Sequence, residues 1–291
     1  MIIGKATRRT IEVVSTILAA ALSLSAGEPP ARGIDLGSLL EKAAEYCRKL
    51  ESAALDFVCR EEIREKIDVS LDNERPDLRL NYSGPDYKAY IGRREKSGTF
   101  TYVYDYQCVR KDGGLRETRT LIEDNGRPAN QRNAKLKTSV FVYTTALLGP
   151  VGLFGRNVQR DFEYRISGEE TMNGRPAVII EAEPKPGTIK SKYLYGKAWI
   201  DADRGDILKI EWDESRVGRS DIFKQRGKRY GMSPRITIRS EFREEKNGLR
   251  FPSEQILEEA YLDKKRRPFV RSTTRVTYTG FKFFTVEVEI K

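Results

Sequence analysis

Short turns separate a long series of strand-like segments, and this constrains the fold more than any other feature of the sequence. Asn173-Gly174 and Asn247-Gly248 are two-residue hairpin turns, and glycine-containing turns also occur at 112–114 and 201–205. The intervening segments alternate apolar and polar residues, the period of a strand with one buried face. Because connections this short can join only antiparallel neighbours, the sequence predicts a mostly antiparallel sheet.

One helix precedes these strands, so the predicted class is α+β. After a possible N-cap at Asp35, apolar residues recur at helical spacing from Leu36 to Phe57. Residues 72–98 are polar and predict a long loop, and 141–155 predict a short helix followed by an apolar loop. The whole pattern predicts about ten or eleven strands and two or three helices. The predicted strands cover residues 59–71, 100–109, 115–122, 162–166, 176–183, 193–200, 207–214, 236–245, 249–262, 269–279 and 283–290.

The N-terminal segment has the order of a secretory signal. Three cations within residues 1–9 are followed by an apolar stretch over 11–24. Ser23 and Ser25 then supply the small side chains that a cleavage site needs, with cleavage after Ser25 or after Ala26. The alternative is an uncleaved membrane anchor. Cleavage would leave a periplasmic or secreted protein.

Three regions follow from this reading. Residues 1–26 are the signal peptide, 27–34 form a Pro- and Gly-containing linker, and 35–291 form a single domain. No shift in composition divides residues 35–291 further.

Charge and histidine content narrow the function classes. The chain has a formal net charge of +10 and no His, so it lacks the commonest general base and the commonest metal ligand. The sequence also has no P-loop, no GxSxG motif, no Gly-rich dinucleotide fingerprint and no CxxC pair. We therefore expect no enzyme, no cofactor and no metal site. A basic surface favours anionic partners, and for an exported protein an anionic membrane surface fits better than nucleic acid. A merely solvated basic surface is the alternative.

A run of four cations, Lys264, Lys265, Arg266 and Arg267, is followed by Pro268 and is expected to form a solvated turn that caps a hairpin. The alternative is anion binding, for which this run is the best candidate in the sequence.

Three cysteines, Cys47, Cys59 and Cys108, would meet oxidising conditions after export. A Cys47–Cys59 disulfide closes a short loop and is the favoured pairing. Cys59–Cys108, which would link the first two strands, and three buried thiols remain as alternatives.

A hairpin in the second half of the chain resembles a known family. The segment Tyr195-Gly196-Lys197-Ala198-Trp199-Ile200-Asp201, a turn, and then residues 206–211 resemble a hairpin of the LolA/LolB-like superfamily, which includes the outer-membrane lipoprotein carriers and the stress regulator RseB. The resemblance covers roughly residues 87–291. It implies an incomplete, half-open β-barrel packed on helices, with an apolar cavity for acyl chains. The chain is longer than the small carriers.

This resemblance implies a ligand site. An apolar segment would form a lid, kept non-helical and movable by Gly149, Pro150 and Gly152, and two tryptophans would line the wall; ordinary core packing is the alternative for both. The lid residues are Phe141, Val142, Leu147, Leu148, Val151, Leu153 and Phe154, and the wall residues are Trp199 and Trp212.

The sequence thus predicts a non-enzymatic binding or carrier protein for a lipid or a lipidated (acylated) protein partner. The alternative is a protein-interaction or envelope-stress sensor module on the same fold, which would use its exposed edge strands.

Overall fold

Antiparallel strands dominate the computed structural model, which describes residues 33–73, 96–111, 114–138, 147–187, 194–213 and 220–284. The predicted signal peptide, most of the linker, most of the loop predicted over 72–98, and all but the first residues of the strand predicted over 283–290 lie outside the described residues. The strands are β1 (Phe57–Ile67), β2 (Gly98–Lys111), β3 (Gly114–Asp124), β4 (Arg127–Gln131), β5 (Phe162–Met172), β6 (Arg175–Pro184), β7 (Gly196–Asp201), β8 (Ile207–Trp212), β9 (Ser233–Glu241), β10 (Glu244–Lys246), β11 (Leu249–Phe251), β12 (Glu254–Leu262) and β13 (Pro268–Phe283).

Eleven of these strands form one sheet in the order β4-β3-β2-β1-β13-β12-β9-β8-β7-β6-β5, while β10 and β11 pair separately. Each described pairing is antiparallel. The described sheet is not closed, because β4 and β5 remain at its two edges. The predicted α+β class, mostly antiparallel with an open sheet, is confirmed.

The described helices are α1 (Leu36–Ala53), α2 (Ser70–Asn73), α3 (Gly149–Phe154) and α4 (Ser220–Tyr230). Asp35 caps α1 as predicted, since its Oδ2 accepts a hydrogen bond of 2.8 Å from the Ser38 amide. The buried stripe of α1 faces the core of the molecule. Among the described helices, none is long and apolar enough to cross a membrane.

Several element boundaries differ from the prediction. The first strand ends at Ile67 instead of residue 71, because Asp68 Oδ1 accepts the Ser70 amide at 2.9 Å and α2 begins there. The strand predicted over 249–262 is two strands, β11 and β12, with Pro252 between them. Helix α4 and the short edge strand β4 were not predicted.

The connection from β4 to β5 joins the two opposite edges of the large sheet. Its described part contains α3, and Leu147, Leu153 and Phe154 of this part are buried in the main core. The same connection contains the segment that was predicted to be a lid.

Candidate functional site

A groove of about 570 Å³ lies between α1 and α3. Its volume is within the range of about 300–1,000 Å³ that is usual for small-molecule sites. Apolar and small groups form one part of its lining, and charged or polar side chains form the rest. The lining residues are Ala44, Glu45, Cys47, Arg48, Glu51, Val151, Gly155, Arg156, Asn157 and Val158.

Buried and partly buried hydrogen bonds fix α1 against α3. The Cys47 thiol donates a hydrogen bond of 3.3 Å to the Pro150 carbonyl. Gln159 Nε2 donates to the carbonyls of Leu40 and Phe154, both at 2.9 Å, so it connects α1 to the end of α3. The groove therefore lies between two elements held at a defined separation.

Two exposed ion pairs stand beside the groove. Arg48 Nη2 lies 2.7 Å from Glu45 Oε1, and Arg156 pairs with Glu41. The hydrogen bond from Arg48 holds the pKa of the Glu45 carboxyl below its usual range. The side chains of Arg48 and Arg156 are 65% and 74% exposed. Because exposed pairs contribute only about 0–1 kcal/mol, either arginine can exchange its partner for another anion at little cost.

The turn between β7 and β8 packs against the other side of α1, where a second cavity of about 450 Å³ opens. Asp201 Oδ1 accepts the amides of Asp203 and Arg204, both at 3.0 Å, and this fixes the turn. Gly205 has φ +77°, and a Cβ added there would lie 2.3 Å from Lys42 Cβ. Lys42 Nζ in turn donates to the Asp203 carbonyl at 3.1 Å.

Most of the described part of the predicted lid is helical, so the prediction that Gly149, Pro150 and Gly152 keep it non-helical was wrong. Gly149–Phe154 forms α3, with proline in its first turn, where the missing amide is not needed. Leu147, Leu153 and Phe154 are buried, and Leu148 and Val151 are partly buried against the core. Of the predicted lid residues, Val151 lines the groove. Phe141 and Val142 lie outside the described residues.

The two predicted wall tryptophans are not brought together. Trp212 packs in the main core, where its Nε1 donates to Ser240 Oγ at 2.9 Å. Trp199 belongs to a separate small cluster on the opposite face of the sheet, and Lys209 Nζ lies 3.9 Å from the centroid of its ring system. Because side chains alternate between faces, Lys209 and Trp212 of β8 point in opposite directions.

The favoured Cys47–Cys59 disulfide is not formed, and the structure has all three cysteines as free, buried thiols. Cys47 lies on α1 and is hydrogen-bonded to Pro150. Cys59 lies on β1 opposite Tyr106, and Cys108 follows two residues later on β2. Burial raises the pKa of the Cys108 thiol to about 11 and raises the pKa values of Cys47 and Cys59 further.

The four-cation run forms the exposed connection between β12 and β13. It lies on a hairpin turn, as the sequence indicated. Its side chains line none of the cavities described above.

Sequence reasoning missed a buried ionic network on the core-facing side of the sheet. Arg119 Nε and Nη2 donate to Glu61 Oε2 and Oε1 at 2.6 and 2.9 Å, and the Tyr278 hydroxyl donates to Glu61 Oε1 at 3.0 Å. Arg119 Nη2 also lies 3.1 Å from Glu117 Oε2. The sequence did contain one signal for the burial of Glu61, since Glu61 lies two residues after buried Cys59 and therefore on the same face of β1.

Glu117 is the most perturbed carboxyl group of this network. Burial raises its pKa to about 7, although the charge of Arg119 and the Tyr106 hydroxyl act in the opposite direction. Its Oε1 is buried and has no hydrogen-bond partner within the described part of the chain.

A second buried network ties two short helices to the sheet. Glu259, fully buried on β12, accepts hydrogen bonds from Arg226 of α4 at 2.9 Å and from Arg271 of β13 at 3.3 Å. Arg271 Nη2 also donates to Asp72 Oδ2 of α2 at 2.6 Å. These contacts give the core-facing side of the sheet a strongly polar region.

Comparisons with known proteins give only distant likenesses. No family model matches the sequence, and no curated protein matches it. Similar solved structures include a LolA superfamily protein from Nitrosomonas europaea, at 12% identity and a TM-score of 0.35, covering 86% of this chain and 94% of that one. Another is an outer membrane lipoprotein-sorting protein domain, described as putative, from Vibrio parahaemolyticus, at 11% identity and a TM-score of 0.39, with the same coverages.

A third similar structure is the MucA/MucB complex of Pseudomonas aeruginosa. Its identity is 12% and its TM-score 0.22, and the match covers 81% of this chain and 93% of that one. Of these three structures, the Nitrosomonas protein bears the name of the superfamily that the sequence resembles.

Proposed function

We propose that this chain is an exported, non-enzymatic binding protein that holds the alkyl chain of a lipid or lipidated protein in the groove between α1 and α3. The observation that carries the proposal is a groove of about 570 Å³ whose lining combines an apolar part with two exposed arginines. Ala44, Cys47, Val151 and Val158 supply the apolar lining. An alkyl chain that leaves water for such a surface gains about 0.8 kcal/mol per buried methylene.

Charge favours an anionic head group on that chain. Among the described residues, Arg48 and Arg156 are held by exposed carboxylates, and a phosphate or carboxylate group can replace those partners. The core-facing side of the sheet is a less suitable site for an alkyl chain, because it carries the fully buried carboxyl groups of Glu61 and Glu259. The proposal therefore places the ligand between the helices instead of against these carboxylates.

Binding of a fluorescent medium-chain fatty acid to the purified exported protein tests this function. Ala44→Leu adds apolar volume to the groove, and Val151→Asp adds a charge to its lining. Each change should weaken binding of the probe at least tenfold, because one narrows the site and the other makes it polar. Val270→Asp is the matched control, since Val270 is 40% exposed and lies on β13 away from the groove.

Thermal unfolding of each variant shows whether the fold survives. A folded Ala44→Leu variant that binds the probe as tightly as the parent protein would remove the groove from the proposal. Lipid extraction and mass spectrometry of the parent protein should in addition recover an acidic lipid.

A second candidate function is protein binding at the β5 edge. β5 has 11 residues, pairs with β6 alone among the described strands, and exposes 38% of Ile166. An extended peptide could add to this edge as a further strand. Ile166→Lys should then weaken partner capture and leave fatty-acid binding unchanged.

A further inference from the structure

The turn between β12 and β13 is organised by one carboxylate. Asp263 Oδ1 accepts the amides of Lys265 and Arg267, both at 2.8 Å, and Asp263 Oδ2 accepts Arg267 Nε at 2.7 Å. Asp263 therefore neutralises Arg267 and fixes the backbone of the turn. Lys264, Lys265 and Arg266 remain exposed and form no ion pair within the described chain. We call these three residues the basic tip.

Arg266 has a backbone conformation that an arginine rarely adopts. Its φ is +61°, in the left-handed region. The other non-glycine residues with positive φ in the described chain are all asparagines, at positions 125, 133, 173 and 247. Asn and Gly enter this region at lower cost than a long side chain does. Turn geometry alone would thus favour Asn or Gly at position 266, and the cation there calls for another explanation.

Exposed apolar side chains and a further cation lie at the same end of the sheet as the basic tip. Pro268 is exposed, and Val270 on β13 is 40% exposed. Leu262, the last residue of β12, pairs with Ser233 at the start of β9, shortly after the C-terminus of α4. Lys228, in the last turn of that helix, is exposed. Cations and exposed apolar side chains therefore share this end of the sheet.

We propose that the basic tip docks the protein on an anionic phospholipid membrane. The cations stand on an open turn and not in a pocket, so they fit an extended layer of negative head groups better than a single phosphate ion. Each Lys or Arg near such a surface strengthens binding about fivefold, and exposed Pro268 and Val270 can rest at the interface. This surface is separate from the groove between α1 and α3, and the inference does not depend on it.

The test measures binding of the purified exported protein to phosphatidylcholine vesicles with and without about one quarter phosphatidylglycerol. The parent protein should bind the anionic vesicles and should not bind the neutral ones. The triple change Lys264→Ser, Lys265→Ser and Arg266→Gly should weaken this binding roughly 100-fold. A matched triple change, Arg132→Ser, Lys135→Ser and Lys246→Ser, removes the same charge from exposed residues elsewhere and should alter binding less than twofold.

Arg266→Gly alone separates binding from folding. Glycine accepts the positive φ, so this variant should unfold at a temperature no lower than the parent and yet bind anionic vesicles about fivefold more weakly. Equal losses in both triple variants would overturn the proposal in favour of general charge attraction. Failure of the parent to bind anionic vesicles would also overturn it, as would equally tight binding to soluble glycerol phosphate.

Discussion

Arg119 on β3 reaches across β2 to form a two-point ion pair with Glu61 on β1. The contacts measure 2.6 and 2.9 Å, and on the way the guanidinium carbon lies 4.9 Å from the centre of the Tyr106 ring. The pair thus connects three neighbouring strands on the core-facing side of the sheet.

Arg119→Met should therefore destabilise the protein by about 3–5 kcal/mol, because it leaves the fully buried Glu61 carboxylate without its cation. Urea unfolding measures the loss. Arg48→Ala, which breaks an exposed pair, should cost only about 0–1 kcal/mol and serves as the control. A loss below that of Arg48→Ala would contradict the assigned role.

Glu117 should make stability fall as pH rises. Its folded pKa of about 7 exceeds the ordinary value of 4.5, so between these values the folded protein binds more protons than the unfolded chain. The contribution of Glu117 to the free energy of unfolding is largest below about pH 4.5, declines between about pH 4.5 and pH 7, and does not change further above about pH 7. The decline should be on the order of 3 kcal/mol. Glu117→Gln should abolish it, and a parallel decline in that variant would assign the effect to another group.

Gly205→Ala should be more harmful than other glycine replacements at turns. The new Cβ would meet Lys42 Cβ at 2.3 Å, and alanine would also have to adopt φ +77°. Backbone strain and overpacking together should lower the free energy of unfolding, measured by thermal unfolding, by about 2–5 kcal/mol. Gly174→Ala is the matched control, with the same φ of +77° and nothing within 4 Å of the added atom, and should cost about 1–2 kcal/mol. Equal losses would disprove the close contact.

The three thiols should be inert in the folded protein. Burial raises the pKa of Cys47, Cys59 and Cys108, so little reactive thiolate forms at neutral pH. An aromatic disulfide reagent should label none of them before denaturation and all three afterwards. Labelling of only one thiol in the denatured, unreduced protein would instead demonstrate a native disulfide.

Local signals predicted most of the strands but not what their buried faces carry. Asn-Gly turns at 173–174 and 247–248 marked hairpins that the structure contains, because positive φ restricts those positions to few residue types. The buried carboxylate of Glu61 was not anticipated. Its cation, Arg119, comes from a strand 58 residues later, and pairings of this kind are not local properties of a sequence.

The helix groove was only partly predictable. Val151 belonged to the predicted lid, but Ala44 and Cys47 come from α1, and nothing in the sequence places α1 beside α3. The opposite orientations of Trp199 and Trp212 follow from the register of β7 and β8, which a bulge between Trp199 and Ile200 shifts. A bulge of this kind has no reliable sequence signal.

The position of β1 has a consequence for the order in which the chain can fold. β1 lies near the middle of the large sheet and pairs with β13, which ends at Phe283. A polypeptide that emerges amino end first must release the chain as far as β13, some 200 residues after β1, before these two strands meet. Closing so long a loop makes the centre of the sheet a late event. Until β13 emerges, β1 lacks one of its two neighbouring strands, so the sheet stays incomplete and the chain can still be threaded through a narrow channel.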